Sequence, residues 1–228
     1  MLKQRSTEIE IMDDLAISGD VIDQTLRELD TINRFLGGNQ ISLHMFKKMA
    51  RGREIIRLAD LGCGGGDILK DMARWCRKNN IEAELIGYDA NPHIIEYAKK
   101  HTEDFPEIQY VCADILGKEF RKETFDIVHC CLFAHHFDDD TLTQLFRQVK
   151  DQTSMGVIVN DLHRHSIAYW SIKLLTGLFS RSYMVRNDAA VSVARSFTRN
   201  ELHSILTNAG IADYRIRWRW AFRWELSF

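Results

Sequence analysis

A chain of 228 residues has room for one domain of ordinary size but not for two full ones. Apolar residues make up 45% and charged residues 27%, a globular composition, and no apolar stretch approaches the roughly 20 residues that cross a bilayer. The formal net charge of -2 hides an asymmetry, because residues 162–228 carry 10 Lys and Arg against 4 acids. A solvated charged face explains this basic third most simply, and an anionic substrate or a membrane surface is the alternative.

The cysteines and the first residues indicate a cellular compartment. The five cysteines form no CxxC pair and lie in apolar or strand-like surroundings, which suits a reducing compartment. The first ten residues lack the apolar segment of a signal peptide. We therefore expect a cytoplasmic protein.

Residues 1–52 have the pattern of a helical cap. Apolar side chains recur at helical spacing before Gly37, which is a typical residue at a helix C-terminus. The first predicted helix presents Ile22, Leu26, Leu29, Ile32 and Leu36, and the second presents Ile41, Met45, Phe46 and Met49.

Residues 53–161 alternate apolar strands with amphipathic helices, the pattern of a parallel sheet that has helices on both faces. The predicted strands cover 55–61, 84–89, 108–113, 125–131 and 155–161. We take this segment as the cofactor-binding core.

The rest of the chain contains an insertion and a second set of elements. Residues 162–197 form a substrate-cap insertion with one predicted helix over 167–175. Residues 198–228 begin with a helix and end in two alternating stretches, 215–220 and 222–226, which predict a strand pair with Ile216, Trp218 and Trp220 on one half-buried face and the arginines opposite. The whole chain is thus predicted to be a single α/β domain. Its fold is Rossmann-like, a doubly wound, mostly parallel sheet of seven strands in which the last pair is antiparallel.

A glycine-rich turn follows the first strand. Gly62, Gly64 and Gly66 alternate after Asp60, and glycine permits a sharp turn and close approach of a ligand to the backbone. A dinucleotide-binding turn has the spacing GxGxxG, and this chain has Asp67 where the third glycine would lie. The mismatch argues against NAD or FAD.

The segment 60–66 resembles motif I of the class I S-adenosylmethionine-dependent methyltransferases. Further matches follow in order: Asp89 at the end of the second strand, Asp114 at the end of the third, and the fourth strand at 125–131. The resemblance implies S-adenosyl-L-methionine as cofactor, with Asp89 on the ribose hydroxyls and Asp114 on the adenine amino group. The cofactor-binding residues that it implies are Asp60, Gly62, Cys63, Gly64, Asp89, Ala90, Asp114, Ile115 and Cys131.

Some of these matches have plainer explanations. Asp89 precedes Asn-Pro and could be a turn acid, and Asp114 could cap a helix or a turn. Ala90 is small where relatives commonly carry a larger apolar residue against adenine, so the adenine pocket would be looser or filled from elsewhere.

A fainter resemblance extends to small-molecule methyltransferases that act on quinone precursors and polyketide phenols. It rests on residues 32–38, 132–137 and 159–165. The last two segments bring polar side chains to the carboxyl edge of the sheet, namely His135, His136, Asp161, His163 and His165. A histidine can accept the proton of a phenol at neutral pH, so His136 or His163 is the candidate base. A structural hydrogen-bonding role is the alternative for either.

Other chemistries fit less well. Adjacent histidines seldom aim both rings at one ion, so we expect no metal. Nucleic-acid amino-methyltransferases carry prolines after the fourth strand, and no proline follows Pro106 in this chain. Cys130 and Cys131 lack the proline of cytosine-C5 enzymes and are expected in the core or at the cofactor's edge, and the paired-glutamate loop of protein arginine methyltransferases is missing.

The sequence thus predicts methyl transfer from S-adenosylmethionine to a small hydrophobic or aromatic acceptor, most simply a phenolic oxygen, with no nucleic-acid partner. The aromatic residues of the 162–197 insertion suit such an acceptor, and Arg181, Arg186 and Arg195 could bind an anionic group on it. Methylation of carbon on an activated ring, a catalytically silent cofactor-binding protein and a nicotinamide oxidoreductase are the alternatives.

Overall fold

The computed structural model describes residues 2–228, which form eight α-helices and seven β-strands. The helices are α1 (Asp20–Phe35), α2 (Gly38–Ala50), α3 (Asp67–Lys78), α4 (Pro92–His101), α5 (Asp139–Asp151), α6 (Ser166–Phe179), α7 (Tyr183–Arg195) and α8 (Arg199–Asn208). The strands are β1 (Ile55–Leu61), β2 (Glu82–Asp89), β3 (Ile108–Cys112), β4 (Phe125–Cys131), β5 (Thr153–Leu162), β6 (Arg215–Arg219) and β7 (Arg223–Ser227).

All seven strands belong to one sheet in the order β3-β2-β1-β4-β5-β7-β6. The first five strands pair in parallel, and β7 runs antiparallel to both β5 and β6. Helical crossovers between parallel strands cover both faces of the sheet. The predicted Rossmann-like α/β fold is confirmed, including the antiparallel last pair.

Apolar side chains fill the space on both faces of the sheet. One face of the sheet is covered by Phe46 of α2 and by Leu69 and Met72 of α3. The other face is covered by Leu142 and Phe146 of α5. Each of these is at least 98% buried, and burying such a side chain contributes about 1.5–3 kcal/mol. This core holds the carboxyl ends of the parallel strands in fixed positions.

The N-terminal helices agree with the predicted amphipathic pattern. Gly37 takes a left-handed conformation between α1 and α2, with φ of 74°. On α1, Ile22 and Leu26 are buried against the domain, whereas Leu29 and Ile32, with Leu36 just after the helix, line a cavity. The apolar face of this helix therefore serves both the core and the wall of a site.

The structure corrects two predictions in the C-terminal third. The insertion forms two helices, α6 and α7, where one was predicted, because the segment after 180 continues as a second packed helix. In β6 only Ile216 is buried, and Trp218 and Trp220 are 46% and 70% exposed. β6 is an edge strand with a neighbour on one side only, so alternation there does not produce a buried face.

Within residues 2–228, no helix combines the length and the apolar character that crossing a membrane requires. The cytoplasmic location expected from the sequence stays a prediction.

Candidate active site

A cavity of about 690 Å³ lies at the carboxyl ends of the central strands, between α1 and the α6–α7 pair. It brings together every residue that the sequence resemblance implied for the cofactor. These are Asp60, Gly62, Cys63, Gly64, Asp89, Ala90, Asp114, Ile115 and Cys131. Of the two candidate bases it contains His136 but not His163.

The glycines after β1 are required for different reasons. The alternating glycines Gly62, Gly64 and Gly66 have positive φ, at 66°, 52° and 76° respectively. A Cβ on Gly62 would lie 2.3 Å from the ring of Phe133, so the protein itself fills that space. A Cβ on Gly64 would meet nothing closer than 3.9 Å, so this part of the turn borders open cavity where a ligand fits.

Asp60 is held by a buried chain of hydrogen bonds that the sequence analysis missed. Its Oδ1 lies 2.6 Å from Nδ1 of His129, and Nε2 of that ring lies 2.8 Å from Oγ of Ser42. Asn160 donates to the same Oγ at 3.0 Å, so Asp60, His129, Ser42 and Asn160 form one continuous hydrogen-bonded chain. The acid of the glycine-rich turn is therefore fixed to α2 and β4. A single histidine amid the apolar residues of β4 was the available signal.

Asp89 presents a carboxylate to the cavity. One oxygen accepts a hydrogen bond from the amide of Asn91 at 3.0 Å, and no Lys, Arg or His of residues 2–228 forms an ion pair with it. Partial burial raises the pKa of Asp89, and the amides of Asn91 and Gly64 oppose this shift. Such a carboxylate retains acceptor capacity for the two hydroxyls of a diol.

Asp114 and Cys131 lie at opposite ends of the cofactor set. Asp114 is exposed and accepts a hydrogen bond from the amide of Leu116 at 2.9 Å, so the turn role considered above is present beside its place on the cavity wall. Burial raises the pKa of the Cys131 thiol to about 12. This thiol is protonated at neutral pH, which argues against a nucleophilic role.

His135 is a buried cation between two acids. Its Nδ1 lies 2.8 Å from Asp161, and its Nε2 lies 3.3 Å from Glu10. Burial lowers the pKa of His135, but the two carboxylates outweigh burial and raise it to about 10. A histidine that already carries its proton at neutral pH cannot act as a general base there.

His136 is oriented by an acid from the N-terminal segment. Its Nδ1 lies 2.6 Å from Oδ1 of Asp13, and Arg195 donates to the other oxygen of Asp13 at 2.7 Å. Arg195 also donates to the carbonyl of His136 at 2.7 Å. Burial raises the pKa of Asp13, but His136 and Arg195 together hold it far below its usual value. The ring therefore turns its Nε2 away from Asp13, on a wall of the cavity.

The two adjacent histidines do point to one place. Their rings stack at 4.5 Å, and the Nε2 atoms and the carboxylate of Glu10 lie within 4.8 Å of one another. The expectation that neighbouring histidines diverge is wrong for this pair, and the three groups could hold a metal ion. Glu10 already pairs with His135, and Nε2 of His136 lies 3.9 Å from the other oxygen of Glu10, so we assign no metal to this cluster.

The remaining polar candidates lie elsewhere. His163 packs against the ring of Trp224 at 4.7 Å and His165 accepts the amide of Ile167 at the start of α6. The insertion arginines also do not line the cavity: Arg186 donates to a backbone carbonyl. The guanidinium that does line the cavity belongs to Arg223, which sequence alternation had assigned to an exposed face.

Part of the chain matches a known protein family and several curated proteins. A model described as "Methyltransferase domain" matches residues 58–156. A mitochondrial ubiquinone biosynthesis O-methyltransferase of Schizosaccharomyces pombe is 33% identical over 100 residues, covering 41% of this chain and 34% of that protein. A ubiquinone biosynthesis O-methyltransferase of Mesorhizobium japonicum is 33% identical over 93 residues, covering 40% and 35% respectively. The chain thus matches about a third of the length of these curated relatives.

Solved structures share the fold. A plantazolicin methyltransferase, BpumL, solved with SAH, superposes with a TM-score of 0.62 at 18% identity, covering 86% of this chain and 71% of that one. Human N-acetylserotonin methyltransferase, solved with SAM, gives a TM-score of 0.61 at 18% identity, covering 90% and 53%. Identities this low show the fold alone, whereas the domain match and the curated relatives are similar in sequence over part of the chain. The domain match over residues 58–156, the curated relatives and the shared fold together support a class I S-adenosylmethionine-dependent methyltransferase, as the motifs at Asp60, Asp89 and Asp114 predicted.

Proposed function

We propose that this protein transfers the methyl group of S-adenosylmethionine to an oxygen of a small hydrophobic or aromatic acceptor, with His136 as the base. The observation that carries the proposal is the Asp13–His136 pair, which lies in the same cavity as the glycine-rich turn and Asp89. The methyl donor and the base would thus lie in one cavity.

The cofactor would lie along the ends of β1 to β3. Asp89 offers a carboxylate without a cation partner for the ribose hydroxyls, and charge-assisted hydrogen bonds are roughly twice as strong as neutral ones. Asp114, Ala90 and Ile115, which line the same cavity, would contact the adenine. The methionine end would then meet the turn at Gly62 to Gly64, near the fixed carboxylate of Asp60.

The acceptor would occupy the part of the cavity next to His136. Its walls here are apolar and come from α1, the 132–137 segment and α6, including Leu29, Ile32, Leu36, Phe133, Phe137, Ile172 and Leu175. Apolar walls with a few placed polar groups are typical of small-molecule sites. The curated relatives named as ubiquinone biosynthesis O-methyltransferases favour oxygen as the atom methylated.

The chemistry is an in-line displacement at the methyl carbon. The acceptor oxygen forms the new bond to carbon, the bond from carbon to sulfur breaks, and S-adenosylhomocysteine leaves with the electron pair. The proton of the acceptor hydroxyl passes to Nε2 of His136, while Asp13 stabilises the imidazolium through Nδ1. Alignment of donor and acceptor supplies further acceleration. His163 is the weaker candidate because its ring does not border the cavity.

The test is methyl transfer from S-adenosylmethionine carrying a labelled methyl group to a panel of catechol, 3,4-dihydroxybenzoate and resorcinol. We expect a methyl ether to accumulate with an equal amount of S-adenosylhomocysteine. A product methylated on a ring carbon would show that the enzyme is a C-methyltransferase and would contradict the proposed O-methylation. Tight binding of S-adenosylhomocysteine with no transfer to any phenol would contradict the proposed activity, and binding of NADH alone would contradict the cofactor.

A further inference from the structure

Arg223 is a buried cation that lacks an acid partner. It begins β7, is 2% exposed and lines the cavity. Its Nη2 donates to Oδ1 of Asn33 at 2.8 Å, but Nε and Nη1 are buried and have no partner in residues 2–228. Two donors of a guanidinium are therefore unused at the cavity.

The two other buried arginines of residues 2–228 differ from Arg223 because each forms an ion pair with an acid. Arg164 forms an ion pair with Glu201, and Arg195 forms one with Asp13. Burial lowers the pKa of the Arg223 guanidinium, and the neighbouring Cys131 and Asp161 oppose this shift. Arginine does not lose its proton in proteins, so a buried charge remains that forms no ion pair within residues 2–228. A buried charge without a partner destabilises a fold, which indicates that a ligand supplies the partner.

A second positive feature lies beside Arg223. The guanidinium packs against the N-terminus of α2, so closely that a Cβ on Gly38 would lie 2.7 Å from its Cζ. The first amides of a helix have no acceptor within the helix, and the helix dipole makes this end positive. Two positive groups at one point of the cavity favour an anion.

The backbone of Arg223 lies across the sheet from the first three cofactor strands, although its side chain reaches Cys131 at the end of β4. Asp114, Asp89 and Asp60 belong to the ends of β3, β2 and β1, whereas β7 follows β4 and β5 on the other side. Neighbouring strands are about 4.8 Å apart, which puts the backbone of β7 roughly 14 Å from that of β1. The backbone of Arg223 therefore lies on the side of the cavity that the residues of β1 to β3 leave free for the acceptor.

We propose that Arg223 binds a carboxylate of the acceptor, so that the substrate class is a hydroxylated aromatic acid or a comparable hydroxy acid. This inference rests on the proposed methyltransferase function. A guanidinium holds a carboxylate through a planar pair of N–H groups, either Nη1 with Nη2 or Nη2 with Nε. Nη2 carries a second N–H besides the one that Asn33 accepts, so Nη1 and Nη2 together can donate to one carboxylate. The carboxylate would hold the acceptor with its hydroxyl toward His136.

The test is equilibrium binding, which needs no turnover. Calorimetry on protein saturated with S-adenosylhomocysteine would compare 3,4-dihydroxybenzoate with catechol, two phenols that differ by the carboxylate. We expect the acid to bind about 10- to 100-fold tighter, from hydrogen bonds between charged groups. Arg223→Met should abolish this preference, and Arg219→Met, on the neighbouring strand and paired with Glu225, should keep it.

Three outcomes would overturn the inference. The first is equal affinity of the wild type for the two phenols. The second is an undiminished preference in the Arg223→Met protein. The third is a loss of S-adenosylhomocysteine binding in that variant with unchanged binding of 5′-methylthioadenosine, which would assign Arg223 to the cofactor's own carboxylate. Failure of the wild type to bind S-adenosylhomocysteine would instead refute the proposed function.

Thermal unfolding separates this ligand role from a structural one. Removing an unpaired buried charge should leave the melting temperature of Arg223→Met equal to or above that of the wild type. Should the methionine variant not fold, Arg223→Lys retains the charge but lacks the paired donors. It should bind the two phenols with a reduced difference, and an unchanged difference would contradict recognition by the guanidinium.

Discussion

The two halves of the cavity are built in different ways. The cofactor half comes from one continuous stretch of chain, the turns that follow β1, β2 and β3. The acceptor half joins segments far apart in sequence: Asp13 to His136 spans 123 positions and Asp13 to Arg195 spans 182. Local motifs can therefore identify a cofactor, whereas the acceptor site exists only once the chain has folded.

The two halves also differ in which charged groups lack an ion-pair partner. In the cofactor half Asp89 offers a carboxylate without a cation partner. In the acceptor half the acids are already paired, as Asp161 is with His135 and Asp13 is with His136, and the unpaired group is the cation Arg223. The charges without an ion pair thus have opposite signs in the two halves, carboxylates in the cofactor half and a guanidinium in the acceptor half.

Substitution of His136 should have the largest effect on activity and none on the cofactor half. We expect His136→Ala to lower kcat about 10²- to 10⁴-fold, the usual contribution of a general base. His163→Ala is the matched control, and single-turnover transfer to 3,4-dihydroxybenzoate is the measurement. A large loss in the His163 variant with normal turnover of the His136 variant would reverse the assignment.

Asp161 should matter more for stability than for binding. Asp161→Asn leaves the buried His135 cation without its closest acid and should lower the free energy of unfolding by about 3–5 kcal/mol. Asp139→Asn is the control, since the ion pair of Asp139 with Arg5 is exposed on the acid's side and should contribute less than about 1 kcal/mol. Urea unfolding measures both, and equal losses would refute the buried ion pair.

Asp13 should act through the orientation of His136. The amide in Asp13→Asn cannot stabilise the imidazolium, so we expect kcat to fall about 10- to 100-fold. The KM for S-adenosylmethionine should stay constant because Asp13 belongs to the acceptor half. A change in that KM with normal kcat would contradict this division of the cavity.

Gly38 should show how tightly Arg223 is seated. A Cβ at Gly38 would press on the guanidinium, and we expect Gly38→Ala to destabilise the protein by about 1–3 kcal/mol. Gly177→Ala, in α6 with nothing within 4 Å of the new atom, should stabilise by up to about 1 kcal/mol. Melting temperatures that shift in the same direction for both variants would show that Arg223 moves freely.

The sequence predicted the sheet and the cofactor half because both depend on local patterns. Strand periodicity located β1 to β5, and the spacing of Asp60, Gly62 and Gly64 indicated the turn. The hydrogen-bonded partners of Asp60 stayed hidden, because His129 and Ser42 reach it through strand pairing and helix packing.

Long-range contacts also explain the errors in the acceptor half. Alternation placed Arg223 on an exposed face, but α2 covers the start of β7 and buries it. Alternation also placed Trp218 on the half-buried face, but this side chain is exposed because β6 is an edge strand that is only partly covered. Which face of a terminal strand is buried depends on elements that the strand's own sequence does not specify.

The affinity for S-adenosylhomocysteine, measured by calorimetry in Asp89→Ala and His136→Ala, tests the division of the cavity most directly. We predict that the Asp89 variant loses about 100-fold, since two charge-assisted hydrogen bonds disappear, and that the His136 variant binds as the wild type does. Wild-type affinity in the Asp89 variant, or an equal loss in both, would contradict this account.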